Sequence, residues 1–218
     1  MTRKERAQAA VEALEQVYPD AVCSLTYAHP YELLIATRLS AQCTDARVNI
    51  VTKELFRKYS TLLSLAEADV ADIEAIVKPC GLFHTKARDI VNLSRMLIAD
   101  YGGELPDSLE ELTKLPGVGR KTANLVMGDI FGKPAVVTDT HCIRICGRLG
   151  LTKETEPYKV EMDLKKILPP EKSNDFCHRL VHFGREFCKA RGPQCTACPL
   201  RGICRQAELD GKAASKKA

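Results

Sequence analysis

The stretch that decides this chain is Leu115-Pro116-Gly117-Val118-Gly119-Arg120-Lys121-Thr122-Ala123. Pro116 and Gly117 end whatever helix precedes them, because proline lacks an amide donor and glycine takes left-handed turn conformations. Gly119 has no Cβ and lets a ligand come close to the backbone. A helix starting there presents free N–H groups at its N-terminus, and such an end attracts phosphate. Lys121 falls in the first turn of that helix, where the positive end of the dipole disfavours its ammonium form. A lysine so placed is a candidate nucleophile. This short run therefore suggests both a grip on a phosphate backbone and a reactive amine beside it.

Around it, helical periodicity dominates. Thr2 and Glu5 have capping-box spacing, followed by Val11, Leu14, Val17 and Tyr18 on one face. Tyr31 to Ala41 reads as a buried helix. Val48, Val51 and Leu55 mark the next, and Val70, Ile73 and Val77 another, stopped near Pro79 and Gly81. Ile90, Leu93 and Leu97 mark a helix ended by Gly102 and Gly103, and Ser108 with Glu111 caps a short helix before the glycine turn. After the turn, helices are expected to Gly132, from about Thr138 to Gly150, from Pro157 to Leu168 and from Glu171 to Phe187. No convincing period-2 alternation is present, so the fold class is all-α. A break between two groups of helices is expected at Gly132-Lys133-Pro134.

Composition sets the outer bounds. The chain of 218 residues carries 45% apolar and 28% charged residues, ordinary for a globular protein. It has no apolar run of about 18 residues, so no membrane span is expected. Met1 to Arg6 leads into an amphipathic pattern, and no signal peptide is expected. Net charge is +4. From Gly184 onward there are eight Lys or Arg against three Asp or Glu, a footprint suited to nucleic acid. Lys212, Lys216 and Lys217 read as a solvated tail.

Six of the ten cysteines are scattered: Cys23, Cys43, Cys80, Cys142, Cys146 and Cys177. They read as reduced residues, several of them small core side chains. The other four form Cys188-x6-Cys195-x2-Cys198-x5-Cys204. Thiols this close indicate a metal, either tetrahedral zinc or a [4Fe-4S] cluster. Zinc ribbons usually pair two C-x2-C knuckles, and only one is present, so the uneven single loop fits the cluster better. Four thiolate ligands leave no open position for substrate, which argues for a structural role. Lys189 and Arg191 lie on the basic loop between the first two cysteines, where pinned cations meet phosphate at low entropic cost.

A second reactive position lies in Val136-Val-Thr-Asp-Thr-His141. Asp139 alone reads as an N-cap. Set beside Lys121, its carboxylate can take the amine's proton and stabilise positive charge developing on a sugar ring. His141 and Arg144 follow on the same segment, and His141 more often orients or packs than catalyses.

These motifs, in this order, resemble the endonuclease III family of base-excision DNA glycosylases with AP lyase activity. The glycine turn resembles its helix–hairpin–helix. Thr138-Asp139-Thr140-His141 and the cysteine spacing resemble its further signatures, as does Leu39-Ser-Ala-Gln-Cys-Thr-Asp45. The resemblance runs from about Ala28 to Cys204. It implies a two-lobed all-α fold with DNA bound in the cleft. One lobe, residues 22–133, is a six-helix barrel with the hairpin; residues 1–21 together with 134–218 form a helical [4Fe-4S] lobe. It implies Lys121 as nucleophile, Asp139 as catalytic carboxylate, and Cys188, Cys195, Cys198 and Cys204 as cluster ligands. It also implies that Gln42 and Leu82 enter the duplex where the target base leaves. Further DNA contacts are expected from Gly117, Gly119, Arg120, Thr140, His141, Arg144, Lys189 and Arg191. Cys43, Cys142 and Cys146 depart from some relatives and read as packing variants.

The expected activity is removal of oxidised pyrimidines followed by cleavage 3′ to the abasic site. The expected partner is double-stranded DNA with a damaged base or abasic site. The expected setting is a monomer in the cytoplasm of a bacterium or archaeon, associated with the nucleoid. Two other readings compete. Adenine- or mismatch-specific relatives generally lack a lysine at position 121. A plain DNA-binding hairpin would use Lys121 only to contact phosphate, which leaves Asp139 without a role beyond its cap.

Overall fold

The computed structural model describes residues 1–209. Lys212, Lys216 and Lys217 lie outside them. Among the described residues the secondary structure is helical throughout, with no strand. The chain divides into two compact units: Cys23–Gly132, and Met1–Val22 with the chain from Lys133 onward. Val22 and Lys133, expected in the barrel, group with the other unit.

The Cys23–Gly132 unit holds α2 (Pro30–Leu39), α3 (Asp45–Lys58), α4 (Leu62–Glu67), α5 (Val70–Val77), α6 (Phe83–Tyr101), α7 (Leu109–Leu112) and α8 (Arg120–Asp129). α6 is its longest helix and packs against α2, α4 and α5. Ala87, Ile90, Val91 and Leu97 on α6 are buried with Leu33 and Leu34 of α2, Leu65 of α4 and Ile73 of α5. Burying an aliphatic side chain of this size stabilises by about 1.5–3 kcal/mol, and several such contributions oppose the entropy of ordering the helices.

α4 is an element the sequence reading does not foresee. Thr61 caps it, accepting from the Ser64 amide at 3.1 Å. Six residues are too few for periodicity to register, and a helix that short exists only by packing. The expected helix from Glu171 begins instead as a 3₁₀ turn, Pro170–Lys172.

The other unit holds α1 (Arg3–Val17), α9 (Thr140–Leu149), α10 (Pro157–Lys165) and α11 (Ser173–Glu186). The capping box of α1 forms: Thr2 Oγ1 accepts from the Glu5 amide at 3.2 Å, and the Glu5 carboxylate accepts from the Thr2 amide at 2.8 Å. α11 packs on both α1 and α9. Its Phe176, Leu180 and Phe183 are buried with Leu14 of α1 and Ile145 of α9. Arg6, also buried, donates to the Leu149 carbonyl at 2.9 Å, fixing α1 to the end of α9. Cys142, Cys146 and Cys177 are buried in this unit as small core side chains. Neighbouring thiols and burial hold Cys142 and Cys177 well above the ordinary thiol range, so they stay neutral and unreactive.

Candidate active site

The glycine turn joins α7 to α8. Buried Leu115 and Val118 anchor it, and the Val118 amide donates to the Leu115 carbonyl at 3.1 Å. Gly117 takes φ +73° and rests on a salt bridge between Arg38 and Asp89, whose Nε–Oδ2 distance is 2.7 Å. A Cβ on Gly117 would stand 2.6 Å from both Arg38 Nε and Asp89 Oδ2. The turn therefore needs glycine twice over, for its backbone conformation and for its seat on the ion pair.

Gly119 differs. Its φ of −92° is open to any residue, and nothing lies within 4 Å of where a Cβ would point. What Gly119 leaves clear is the space in front of the N-terminus of α8. The first N–H groups of a helix have no carbonyl ahead of them, and a Cβ-free residue precedes them here. Arg120 and Lys121 are the first two residues of α8. Lys121 is exposed and Arg120 half-buried.

Gln42 and Leu82 share a rare backbone state in the same unit. Among the described residues they are the non-glycine positions with positive φ, at 58° and 50°. Such conformations cost a non-glycine side chain about 1–3 kcal/mol and cluster at functional sites. Both residues are exposed, Leu82 at 57%. An aliphatic side chain held in strain at the surface matches one meant to enter something else.

Asp139 lies in the other unit and does cap α9. Its Oδ1 accepts from the Cys142 amide at 2.7 Å. Its Oδ2 pairs with His141 Nδ1 at 3.4 Å. The side chain is 19% exposed, enough for access from one direction. Thr140, the first residue of α9, is exposed. Arg144 donates from Nε to the Cys188 carbonyl at 3.2 Å and from Nη1 to the Thr140 carbonyl at 3.3 Å. Gly184 of α11 gives the room this needs: a Cβ there would meet His141 Cδ2 at 2.6 Å and Arg144 Nη2 at 2.9 Å.

Cys188, Cys195, Cys198 and Cys204 line one cavity of about 650 Å³, walled by Ile145, Leu149, Phe183, Phe187 and Leu200. Among the described residues no group of three or more His, Cys, Asp or Glu is arranged to hold a single metal ion. Burial holds Cys198 above the ordinary thiol range, and the charges of the other three push the same way. A bound cation is what brings such thiols to thiolates. Lys189 and Arg191 are exposed on the loop between Cys188 and Cys195.

Arg148 escapes the sequence reading. Its Nη1 donates to Cys188 Sγ at 3.3 Å and to the Lys189 carbonyl at 2.8 Å, and its Nη2 to the Ala190 carbonyl at 3.1 Å. One guanidinium thus shapes the basic loop and points positive charge at a ligand sulfur. The local pattern offers no signal for this, because the partners lie about forty residues on. The Arg38–Asp89 seat of Gly117 is hidden for the same reason.

Comparisons with known proteins agree with this fold. A model of the HhH-GPD superfamily of base excision DNA repair proteins matches residues 35–170. The chain is 42% identical over 213 residues to endonuclease III of Bacillus subtilis strain 168, covering 97% of each. A solved non-covalent endonuclease III–DNA complex superposes with a TM-score of 0.90 at 44% identity, covering 97% of this chain and 100% of that one. A trapped endonuclease III–DNA covalent intermediate matches with the same TM-score, identity and coverage.

Proposed function

Because this chain belongs to the HhH-GPD superfamily of base excision DNA repair proteins, and within it to the endonuclease III family, we propose that Lys121 is its nucleophile and Asp139 its catalytic carboxylate. The protein is a DNA N-glycosylase with AP lyase activity. The observation that carries the residue assignment is the setting of Lys121. It is an exposed amine in the first turn of α8, with Gly119 open in front of it.

In this reading the hairpin amides beside Gly117 and Gly119 hold a phosphate, with Arg120 adjacent. An oxidised pyrimidine leaves the stack at a cost of a few kcal/mol, less where damage has weakened stacking. Gln42 and Leu82 fill the gap. Lys121, deprotonated with help from the Asp139 carboxylate, attacks the sugar C1′ and the base departs with the glycosidic electron pair. The resulting iminium acidifies the C2′ hydrogen, and β-elimination breaks the strand on the 3′ side. Thr140, His141, Arg144, Lys189 and Arg191 add contacts to the backbone, and Arg144 does so from a side chain already fixed by two carbonyls.

Residues of the second unit fit a [4Fe-4S] cluster. A single zinc needs all four sulfurs about 2.3 Å from one point, whereas a cubane takes ligands spread around its outside. A single C-x2-C in an uneven loop of four thiols lining one cavity of about 650 Å³, with Arg148 at Cys188 Sγ, supports the second. When bound, the cluster supplies four fixed bonds to the loop that carries Lys189 and Arg191. We read the Cys23–Gly132 unit as the barrel lobe, and the unit of Met1–Val22 with the chain from Lys133 onward as the cluster lobe. The protein acts as a monomer on damaged duplex DNA, in a prokaryotic cytoplasm at the nucleoid. No helix among the described residues is long and apolar enough to cross a membrane.

Two measurements test this reading. Duplex DNA with an abasic site, incubated with the purified protein and a chelator of free divalent ions, is cleaved on the 3′ side. An intact strand would reduce the protein to a binding module. The visible spectrum shows the broad brown absorption of iron–sulfur; a colourless protein containing stoichiometric zinc would overturn the cluster assignment.

A further inference from the structure

Lys86 is among the largest fully buried side chains in the described structure, and its hydrogen-bond partners are not acidic. Its ammonium donates to three backbone carbonyls: Leu39 at 2.9 Å, Ala41 at 2.8 Å and Cys80 at 2.9 Å. An ammonium has three protons, so the set is complete. Burial lowers the pKa of Lys86, and burial likewise holds the neighbouring Cys80 thiol well above its ordinary value, a neutral group giving no counter-charge. The charge is carried by carbonyl dipoles alone. Burying a charge this way is costly unless every bond is made.

The three carbonyls are not a random choice. Leu39 ends α2, where carbonyls lack helical partners and the dipole is negative. Ala41 immediately precedes Gln42. Cys80 ends a 3₁₀ turn, Lys78–Cys80, two residues before Leu82. Leu82 in turn is the N-cap of α6, and its carbonyl accepts from the Lys86 amide at 3.1 Å. Capping α2 alone would need one bond. The other two run to the two loops whose tips carry positive φ on non-glycine residues. Such strain persists only where the surroundings over-determine it.

We propose that Lys86 is a positioning residue that ties the Gln42 and Leu82 tips to one buried atom and so sets the two-pronged element that replaces the departing base. It touches no substrate and acts through the two loops. A tethered pair of prongs enters the duplex with its shape already set, and this preorganisation lowers the cost of displacing the base. The inference rests on the reading that Gln42 and Leu82 enter the DNA.

The test compares wild type, Lys86→Met, Lys86→Gln and Leu82→Ala in two single-turnover assays. One follows release of a damaged pyrimidine from duplex DNA. The other follows cleavage at a preformed abasic site, where no base need be unstacked. Amide hydrogen exchange is read alongside, for Ala41–Cys43 and Gly81–Phe83 against α6 and α8. Lys86→Met should slow base release by about 10- to 100-fold, the scale of a 1 Å misplacement, while abasic-site cleavage changes by no more than about 3-fold. Exchange should speed up at the two tips and not in the cores of α6 and α8. Lys86→Gln keeps two donors on a shorter stem; it should fall between, and it serves if the methionine variant does not fold. Equal loss in both assays, or faster exchange throughout the unit, would make Lys86 a fold residue and overturn the proposal. Unchanged base release by the Lys86 variants, with a loss in Leu82→Ala, would overturn it while leaving the prong reading intact. Unchanged release in Leu82→Ala would instead remove the prong reading, and the local exchange would still report whether Lys86 holds the tips.

Discussion

Lys121→Ala is expected to abolish covalent trapping of the protein on DNA. With borohydride present, wild type should cross-link to a duplex containing an oxidised pyrimidine, because reduction of the lysine–sugar iminium makes the bond permanent. Without the amine no iminium forms. Turnover should fall by about 10³-fold or more, the order seen when a covalent nucleophile is removed. Stability should barely move, since the side chain is exposed and alanine favours the helix. Binding should weaken only as far as one phosphate-facing cation contributes. Lys86 cannot substitute, because its protons are all held by carbonyls in the interior. Undiminished trapping by the variant would remove Lys121 as the nucleophile.

The second large effect is expected at Asp139, where one substitution separates the observed cap from the proposed carboxylate chemistry. Asp139 caps α9 through Oδ1. Asparagine caps a helix about as well as aspartate, so Asp139→Asn keeps the cap. It loses the charge and the ability to take a proton. Turnover should fall by about 10²- to 10⁴-fold, the range for a general base, with duplex binding retained. The free energy of unfolding should fall by no more than the helix-dipole contribution, about 0.3–1 kcal/mol. Asp139→Ala should lose the cap as well, a further cost of about 1 kcal/mol, at similar residual activity. Unchanged turnover in Asp139→Asn would leave Asp139 a cap and nothing more.

Most of what could be read early was local in the chain. The capping box at Thr2 and Glu5, the stop at Gly102 and the cap at Ser108 are interactions over three or four residues, and each forms where expected. The hairpin was legible because proline and glycine restrict the backbone on the spot. The cysteine spacing was legible because a metal site in one loop writes its ligands into one short segment. α4 was not, since its existence depends on the face of α6 against which it packs.

By itself the sequence determined an all-helical chain, a glycine turn with a lysine behind it, and a loop of four clustered thiols. Only the tertiary structure decided what holds those pieces. Arg38 and Asp89, fifty-one residues apart, form the seat under Gly117. Arg148 gathers the loop after Cys188, and Lys86 joins a loop at Ala41 to another at Cys80. The first helix takes its place with the later part of the chain through Arg6 and the Leu149 carbonyl. The physical reason is common to all four. A buried charged group has no periodicity and no fixed spacing to its partners; its position is set by which carbonyls or carboxylates folding leaves unmatched.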